Sequence, residues 1–351
     1  METIQPIGSR TGKNPLSIKG GDRVMKSTAA FRRLLILLVT SALAGPMPIA
    51  AQTAFPNKPI RLIVPYAPGG NADPVARMIG QKLNESWGQP VVIDNRPGGN
   101  TVIGIGALAR SAPDGYTLGT VFATQVILPH LTDALPYDAI KDFAPVATVT
   151  MNEQLMVVHP SVPANNLQEF IALAKSKPGA LNFSSNASGG VTHLAVELFC
   201  LAAGIKMQHV PYKGGGPAMT ALVGGEVQMS FSPPLVAMPM IKAGRIKALA
   251  ISGERRLSAL PDVPTFAEAG LQGLDAKVWF GILAPAGTPK YVIDKLSSEL
   301  AKIMAMPDVK EKLLGLGQEP FVTTPEQFAD LLKSDMDKFG RVIKAANIKL
   351  D

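Results

Sequence analysis

The chain of 351 residues is poor in the residue types that most often carry out chemistry. It has one cysteine, Cys200, four histidines and two tryptophans. A single cysteine excludes an internal disulfide, and its apolar, helix-like surroundings predict a buried and inert thiol. The histidines lack metal-ligand spacing, and neither CxxC nor HExxH occurs, so we expect no metal site.

Long hydrophobic runs are also missing. The most apolar stretch, 34–44, has 11 residues, whereas a membrane-spanning helix needs about 20. Two arginines precede this stretch, a Gly-Pro pair ends it, and small residues follow, a pattern typical of a signal peptide cleaved near Ala51. An uncleaved anchor is the alternative. Residues 1–51 are thus predicted to be leader and signal peptide, with Met25 as a candidate true start.

Charge is modest and unevenly placed. The formal net charge is +7, with 34 basic and 27 acidic residues. Residues 1–33 hold seven of the basic and two of the acidic residues, so the remainder carries only +2. The net charge therefore gives no argument for a nucleic-acid-binding or membrane-binding surface, and we expect no nucleic-acid partner.

Glycine and proline are abundant, at 33 and 30 residues, and they separate short strands from helices. This alternation predicts parallel βαβ units, hence an α/β fold of two doubly wound domains with a helical C-terminal tail. Strands are predicted at 60–66, 90–94, 116–122, 143–149, 155–159, 180–185, 207–212, 226–231, 246–252 and 278–284. Helices are predicted at 74–86, 101–111, 167–176, 192–203, 216–223, 234–243, 289–305, 308–316 and 325–346.

About 300 mature residues are enough for two domains. The chain is predicted to cross between them near 155–160 and again near 275–282. We therefore assign 52–156 plus 281–351 to the first domain and 157–280 to the second.

The glycine-rich turn after the first predicted strand is the strongest single motif. Asp73 is predicted as the N-cap of the following helix, with Pro74 at its first position. A strand, a glycine-rich turn and a capped helix together direct backbone N–H groups at a ligand above the strand end. The turn has no Lys or Arg and is no phosphate loop, so a small anion is the natural guest. An ordinary strand-to-helix turn remains the alternative.

Other predicted strand ends are equally rich in small polar residues, among them 123–125, 184–190 and 213–216. Ligands of open parallel sheets bind beyond the carboxyl ends of the strands. Two such units facing each other would form a cleft between them.

Several strings along the chain resemble the Bug-type receptors of tripartite tricarboxylate transporters. In order they are VPYAPGGNADPVAR (64–77), IDNRPGGNTVIG (93–104), APDGYTL (112–118), HVPYKGGGPA (209–218), IKAGRIKALA (241–250), LPDVPTFAEAG (260–270) and LAPAGTP (283–289). The resemblance covers residue 56 to the C-terminus. It implies a periplasmic solute-binding protein with a hinged, Venus-flytrap cleft of the type II kind, which captures a small organic carboxylate for a membrane permease. It further implies no enzyme activity and no cofactor, and we expect a monomer.

The resemblance also implies two ligand loops. The first would hold one carboxylate by backbone N–H groups, and the second would face it from the other domain. The residues implied are Tyr66, Pro68, Gly69, Gly70, Asn71 and Asp73 in the first loop, Thr124 beside it, and Ser185, Asn186, Ser188, Gly189, Thr192 and His193 in the second. Asn186 and Gly190 depart from the family pattern, which suggests a different ligand shape.

Alternatives remain for several of these residues. His193 opens an apolar helix, so packing or capping competes with ligand contact. Lys213 is interpreted as a solvated charge, and Trp279 either packs in the hinge or walls the cleft. A secreted α/β hydrolase acting on a small ester or amide through Ser188 is the competing function, but no base or acid partner is apparent.

Overall fold

The computed structural model describes residues 55–69, 72–274 and 276–349. The strands are β1 (Ile60–Val64), β2 (Val91–Asn95), β3 (Thr117–Phe122), β4 (Phe143–Asn152), β5 (Leu155–Val158), β6 (Asn182–Ser185), β7 (Gln208–Pro211), β8 (Met229–Ser232), β9 (Lys247–Ile251) and β10 (Val278–Pro285). The helices are α1 (Ala72–Trp87), α2 (Val102–Ala109), α3 (Thr124–Ile127), α4 (Leu167–Ser176), α5 (Val191–Ala203), α6 (Gly215–Val223), α7 (Pro234–Lys242), α8 (Lys290–Ala305), α9 (Pro307–Gly315) and α10 (Pro325–Ala346). The predicted leader, signal peptide and alternative start lie outside the described residues.

Two five-stranded sheets organise the chain, in the orders β2-β1-β3-β10-β4 and β7-β6-β8-β5-β9. We call the first sheet with α1–α3 and α8–α10 the first lobe, and the second sheet with α4–α7 the second lobe. The predicted α/β class with two sheets and a helical C-terminal tail is confirmed.

Both sheets are mixed rather than wholly parallel. Strands β1, β2 and β3 are parallel, as are β6, β7 and β8, which matches the predicted βαβ units. Strand β10 runs antiparallel to β3 and β4, and β5 runs antiparallel to β8 and β9. Strand β5 pairs with strands that come much later in the chain, and β10 pairs with strands that come much earlier, so alternation along the sequence did not reveal their direction.

The central strands are buried on both faces, which explains their continuous apolar sequences. In β1, Ile60 and Leu62 pack into the cluster under α1 and α8, whereas Ile63 packs into the cluster under α2, α3 and α10. All three side chains are at most 1% exposed. The first lobe is therefore a three-layer sandwich.

Local sequence signals fix the helix starts. Asn166 accepts the Glu169 N–H at 2.8 Å and caps α4. Thr324 and Gln327 form a capping box before α10, whose first residue is Pro325. These starts coincide with the predicted ones because capping depends only on residues three apart.

Helix α10 joins the two lobes. Leu194 of α5, from the second lobe, is fully buried in the same apolar cluster as Phe328 and Leu332 of α10. Trp279 is also buried there, and its indole N–H donates to Asp335 Oδ2 at 2.7 Å. Trp279 thus packs beneath the helical tail at the second crossing.

The crossings lie slightly ahead of the predicted domain boundaries. Strand β5 pairs wholly within the second sheet and β10 wholly within the first. The chain therefore crosses between Asn152 and Leu155, and again before Val278. Where the crossings meet, Gln154 N–H donates to Ser252 Oγ at 2.8 Å and Ser252 N–H donates to Gln154 O at 3.0 Å.

Candidate ligand-binding site

The two groups of strand ends that carry the predicted loops lie at the edges where the chain crosses. Phe280 pairs with Phe122, so β10 begins where β3 ends. Leu155 pairs with Ser232, so β5 begins where β8 ends. Because β1 is parallel to β3 and β6 is parallel to β8, their carboxyl ends lie at these same two edges. The topology thus directs both predicted loops toward the crossing.

The described part of the first loop is held by a buried carboxylate. Asp73 Oδ2 accepts hydrogen bonds from Gly69 N–H and Arg77 Nε, both at 3.0 Å, and Oδ1 accepts one from Asn95 Nδ2 at 3.0 Å. Asp73 is 5% exposed. The hydrogen bond from Arg77, helped by those from Gly69 and Asn95, lowers the pKa of Asp73 despite its burial.

These contacts correct the predicted role of Asp73. Helix α1 begins at Ala72, so Asp73 lies in its first turn rather than at the N-cap. Its carboxylate reaches back to Gly69, which has a φ of +78° and so favours glycine. In this conformation the Gly69 N–H is already engaged and cannot also hold a ligand. Gly70 and Asn71 lie outside the described residues, and Pro68 is exposed.

Tyr66 and Thr124 connect the ends of β1 and β3. The Tyr66 ring packs edge-on against Phe122 with centroids 5.3 Å apart. Its hydroxyl is hydrogen-bonded to the Thr124 side chain and to the Phe122 backbone, and burial raises its pKa. Thr124 is 9% exposed at the start of α3. The structure therefore brings these two predicted residues together.

The second loop follows β6 and is folded on neutral hydrogen bonds. Thr192 Oγ1 donates to Asn186 Oδ1, and Asn186 N–H donates to Thr192 Oγ1 at 3.3 Å. Asn186 is exposed, and Ser188 and Thr192 are half-buried. Gly214 N–H donates to Asn186 O at 3.0 Å, which fastens the neighbouring loop of the exposed Lys213.

The two residues that depart from the family pattern lie beside each other. A Cβ on Gly190 would lie 3.1 Å from Asn186 Oδ1 and 3.2 Å from Ala187 O. A side chain at position 190 would therefore press on the Asn186 amide. The two departures are compatible as a pair, because the glycine leaves room for the longer side chain.

Two stacked histidines support the loop from below. His193 Nδ1 accepts the Gly189 N–H at 3.1 Å, which is the capping role left open by the sequence. The rings of His193 and His209 stack at 3.6 Å between centroids with an angle of 11°. His209 Nε2 lies 2.7 Å from Ser185 Oγ, and Ser185 also donates to Ala187 O at 2.9 Å.

Sequence reasoning missed His209, Arg77 and Asn95. His209 opens the string HVPYKG, which we used only for the resemblance. It pairs beside Phe183 in the sheet, two residues before Ser185. Since strand partners are distant in sequence, only the predicted order of the strands held a signal for this neighbour.

The hydrolase alternative finds no support in the hydrogen bonds. Ser185 and Ser161 each lie 2.7 Å from a histidine nitrogen, on His209 and His159, and Ser185 also donates to the Ala187 carbonyl at 2.9 Å. The Ser185 hydroxyl is thus shared with a backbone carbonyl, unlike a nucleophile dedicated to its base. Burial raises the pKa of the Cys200 thiol, as expected for an inert cysteine. Among the described residues no cluster of three potential metal ligands occurs.

A cavity of about 480 Å³ lies beside the crossing. Met151 and Trp279 line it from the first lobe, and Ser252 and Phe266 line it from the second. None of the predicted ligand residues lines it. We therefore separate this cavity from the loop site.

The two sheets, the crossings and the paired loops define a two-lobed α/β solute-binding protein. The chain belongs to the tripartite tricarboxylate transporter receptor family, whose model, described as "Tripartite tricarboxylate transporter family receptor", matches residues 75–348. The predicted Bug-type family is confirmed, and the chain is a solute-binding receptor rather than an enzyme. No helix in the described ranges has the length and apolar character to cross a bilayer.

Three known proteins illustrate the similarity. The protein BugT of Bordetella pertussis (strain Tohama I) is 34% identical over 328 residues, covering 93% of this chain and 100% of BugT. A protein of R. palustris solved with adipate is 31% identical, with a TM-score of 0.71, covering 84% of this chain and 99% of that one. MatC from Rhodopseudomonas palustris with bound malate is 32% identical, with a TM-score of 0.68, covering 82% of this chain and 100% of MatC.

Proposed function

We propose that this receptor is exported to the periplasm, where it captures a small aliphatic dicarboxylate between its two loops and delivers it to the membrane permease of a tripartite tricarboxylate transporter. The second loop carries the proposal, since Ser185, Asn186 and Thr192 place hydroxyl and amide groups at a strand end directed toward the first loop. Such groups hold a carboxylate without a fixed buried charge.

Electrostatics of the first loop is compatible with an anionic ligand. The Asp73 carboxylate forms an ion pair with Arg77. Asn95 is hydrogen-bonded to both residues: its Nδ2 donates to Asp73 Oδ1 at 3.0 Å, and its Oδ1 accepts from Arg77 Nη2 at 3.3 Å. A ligand carboxylate near this turn therefore meets no unpaired buried negative charge.

Two related proteins support the proposed class of ligand. The structures solved with adipate and with malate belong to chains that share about a third of their residues with this one. Both ligands are aliphatic dicarboxylates, so this class comes first, and tricarboxylates and aromatic carboxylates are outcomes of the test.

A thermal-shift panel on mature protein from residue 52 tests the ligand class. Malate, adipate, citrate and benzoate are the probes, with p-nitrophenyl acetate as a hydrolase substrate. A bound ligand at a hundredfold excess over its Kd stabilises the fold by about 2.7 kcal/mol. We expect a higher Tm with malate or adipate and no ester turnover. Ester hydrolysis without any shift would refute the proposal.

A pair of serine variants locates the site. Ser185→Ala removes the hydroxyl of the second loop and should weaken every ligand that binds. Ser161→Ala removes a hydroxyl of the same lobe that contacts His159, at 2.7 Å, away from the loop. The Ser161→Ala variant should bind each ligand with the affinity of the wild type. Equal binding by both variants would place the ligand elsewhere.

Two measurements test export and closure. Mass spectrometry of periplasmic extract should find an N-terminus close to Gln52, whereas an intact 34–44 segment in the membrane fraction would contradict export. Small-angle scattering should show a smaller radius of gyration when the bound probe closes the lobes about the crossings. An unchanged radius at saturation would indicate a rigid cleft.

A further inference from the structure

The cavity beside the crossing has walls from both lobes and is distinct from the loop site. Three aromatic rings line it, Phe266 from the second lobe and Trp279 and Phe321 from the first. Phe266 and Trp279 are buried, whereas Phe321 is 44% exposed. The volume of about 480 Å³ lies within the range of about 300–1,000 Å³ that is usual for small-molecule sites. A molecule seated here would bury an aromatic side chain that is now partly exposed to water, which is favourable.

The charged groups around the cavity are already paired. Lys277 Nζ lies 3.8 Å from Glu254 Oε1, and both residues line the cavity. Asp335 Oδ2 accepts the indole N–H of Trp279, and Oδ1 lies beside Lys338 Nζ, both at 2.7 Å. Each carboxylate thus faces a cation, and an ionised ligand would compete with an existing ion pair. The lining therefore favours a neutral molecule.

One buried acceptor beside the cavity is unsatisfied. Gln154 is 1% exposed, its Nε2 donates to Glu153 O at 3.0 Å, and no donor of the described residues reaches its Oε1. Its backbone N–H donates to the hydroxyl of Ser252, which lines the cavity. Since residues two apart in an extended chain share a face, Gln154 lies on the face of Met156, which packs in the same apolar cluster as Phe266. A donor on an occupant would satisfy this oxygen.

The lobes form this cavity in an arrangement in which the loops bind to themselves. Gly69 N–H donates to Asp73 at 3.0 Å, and Thr192 Oγ1 donates to Asn186. Under the proposed function, a carboxylate takes over such groups and the lobes close about the crossings. Because the cavity has walls in both lobes, closure changes its shape. A molecule that fits the cavity as it stands therefore favours the ligand-free arrangement.

We propose that this cavity is a second ligand site, which takes a neutral aromatic molecule of one or two rings with one hydroxyl or N–H donor. Phe266, Trp279 and Phe321 bury the rings, and Gln154 Oε1 accepts the donor. The regulatory effect rests on the proposed function: an occupant holds the lobes apart and lowers the affinity for the carboxylate between the loops. By reciprocity, the carboxylate lowers the affinity of the cavity by the same factor.

Binding to the cavity is tested without any aliphatic carboxylate. The chain has two tryptophans, so Trp87→Phe leaves Trp279, in the cavity wall, as the tryptophan reporter. 5-Indanol, indane and indane-5-carboxylate are titrated into the mature protein at pH 7 while the tryptophan fluorescence is followed. We expect 5-indanol to bind several-fold more tightly than the other two. No saturable response to 5-indanol, or equal or tighter binding of either analogue, overturns the proposal.

A matched pair of alanine substitutions locates the site. Ala267 is exposed and lines the cavity, whereas Ala202 is exposed on α5 outside the lining. Ala267→Phe should fill the cavity and lower the affinity for 5-indanol at least tenfold, whereas Ala202→Phe should bind it as the wild type does. Equal binding by both variants would place 5-indanol elsewhere and refute the site.

A third variant tests the acceptor. Gln154→Met removes the unsatisfied oxygen and keeps the length of the side chain, so it should bind indane and 5-indanol with equal affinity. A preference for 5-indanol that persists in Gln154→Met contradicts the role given to this residue.

Calorimetry tests the coupling between the two sites. Malate and adipate are titrated into the mature protein with and without saturating 5-indanol. We expect several-fold weaker binding of the acid with 5-indanol present, and no effect of 5-indanol in Ala267→Phe. An unchanged affinity in the wild type, or a loss that persists in Ala267→Phe, overturns the regulatory role and leaves the proposed function standing. If neither acid binds, the proposed function fails, and the fluorescence titration alone decides the cavity site.

Discussion

The two loops at the crossing are stabilised by opposite means. The first is tied by an ionised carboxylate, Asp73, which accepts three hydrogen bonds and is almost fully buried. The second is tied by hydroxyl, amide and imidazole groups, of which Ser185 and His193 are buried, Thr192 is half-buried and Asn186 is exposed. The comparison indicates different roles for the two loops. The first loop is held in place by the hydrogen bonds of an ionised carboxylate, whereas the second can exchange its internal hydrogen bonds for hydrogen bonds to a ligand.

The largest expected effect comes from removing the carboxylate of the first loop. Asp73→Ala removes the carboxylate that accepts hydrogen bonds from Gly69 N–H, Asn95 Nδ2 and Arg77 Nε. Because Arg77 is 54% exposed and can be solvated by water, the loss comes mainly from the unsatisfied Gly69 N–H and Asn95 amide, and it should lower the free energy of unfolding by about 2 kcal/mol. Urea unfolding at pH 7 measures it.

A matched control is available on the surface of the same lobe. Asp114 pairs with Lys58 at 3.1 Å, but the two side chains are 42% and 56% exposed. Asp114→Ala should therefore cost less than about 1 kcal/mol. Similar losses in both variants would contradict the special role assigned to Asp73.

The next largest effect is the loss of the stability contributed by the first loop at acid pH. Because the pKa of Asp73 is lowered from its ordinary value of 3.8, its contribution to stability is complete above that value and is lost as the pH falls through the lowered pKa. Other acids with lowered pKa values, such as Asp308, act in the same range. The difference in unfolding free energy between wild type and Asp73→Asn should therefore shrink below about pH 4. A constant difference from pH 7 to pH 3 would refute the linkage.

A smaller effect is expected from loosening the second loop. Thr192→Val removes the hydroxyl that holds Asn186, so it should alter the ranking of carboxylates in the way that Asn186→Ala does. Each change should be worth about 1 kcal/mol in binding. Thr192→Ser retains the hydroxyl and should keep the original ranking. Uniform weakening of all probes by Asn186→Ala would make it a general anchor rather than a determinant of specificity.

The smallest expected effect tests the pair of family departures. Gly190 is the N-cap of α5 with φ −79° and ψ 167°, where serine is normally favourable. In the wild-type background, the new side chain of Gly190→Ser would press on the Asn186 amide. In the Asn186→Ala background, the same substitution should raise the free energy of unfolding by a few tenths of a kcal/mol. A double-mutant cycle should give a coupling of about 0.5–1 kcal/mol. Additive changes would show that the two positions are independent.

Local signals predicted much of the fold. Helix 325–346 is found with its predicted bounds because Thr324, Pro325 and Gln327 encode its start within four residues. Helix 167–176 is also found as predicted. The antiparallel directions of β5 and β10 could not be predicted this way, since they depend on pairing between residues far apart. The pairing of 319–321 with the edge strand β4 was missed for the same reason.

For the site, the sequence predicted positions better than contacts. The loops after β1 and β6 do lie at the crossing edges, because the carboxyl ends of parallel strands share an edge. The role of each side chain depended on neighbours from other strands, such as Asn95 for Asp73 and His209 for Ser185. Ligand contact by the predicted residues stays a prediction.

The position of β10 has a consequence for how the chain acquires its structure. The second sheet is built from one continuous segment, from Leu155 to Ile251, whereas the first needs β10 between β3 and β4. As the chain emerges from the amino end, the second sheet can be complete while the first still lacks its fourth strand and the covering α10. The first lobe, whose strands β1 to β4 come first in the chain, is thus the last to be completed. Until β10 is in place, the unpaired edges of β3 and β4 can form hydrogen bonds with strands of other chains.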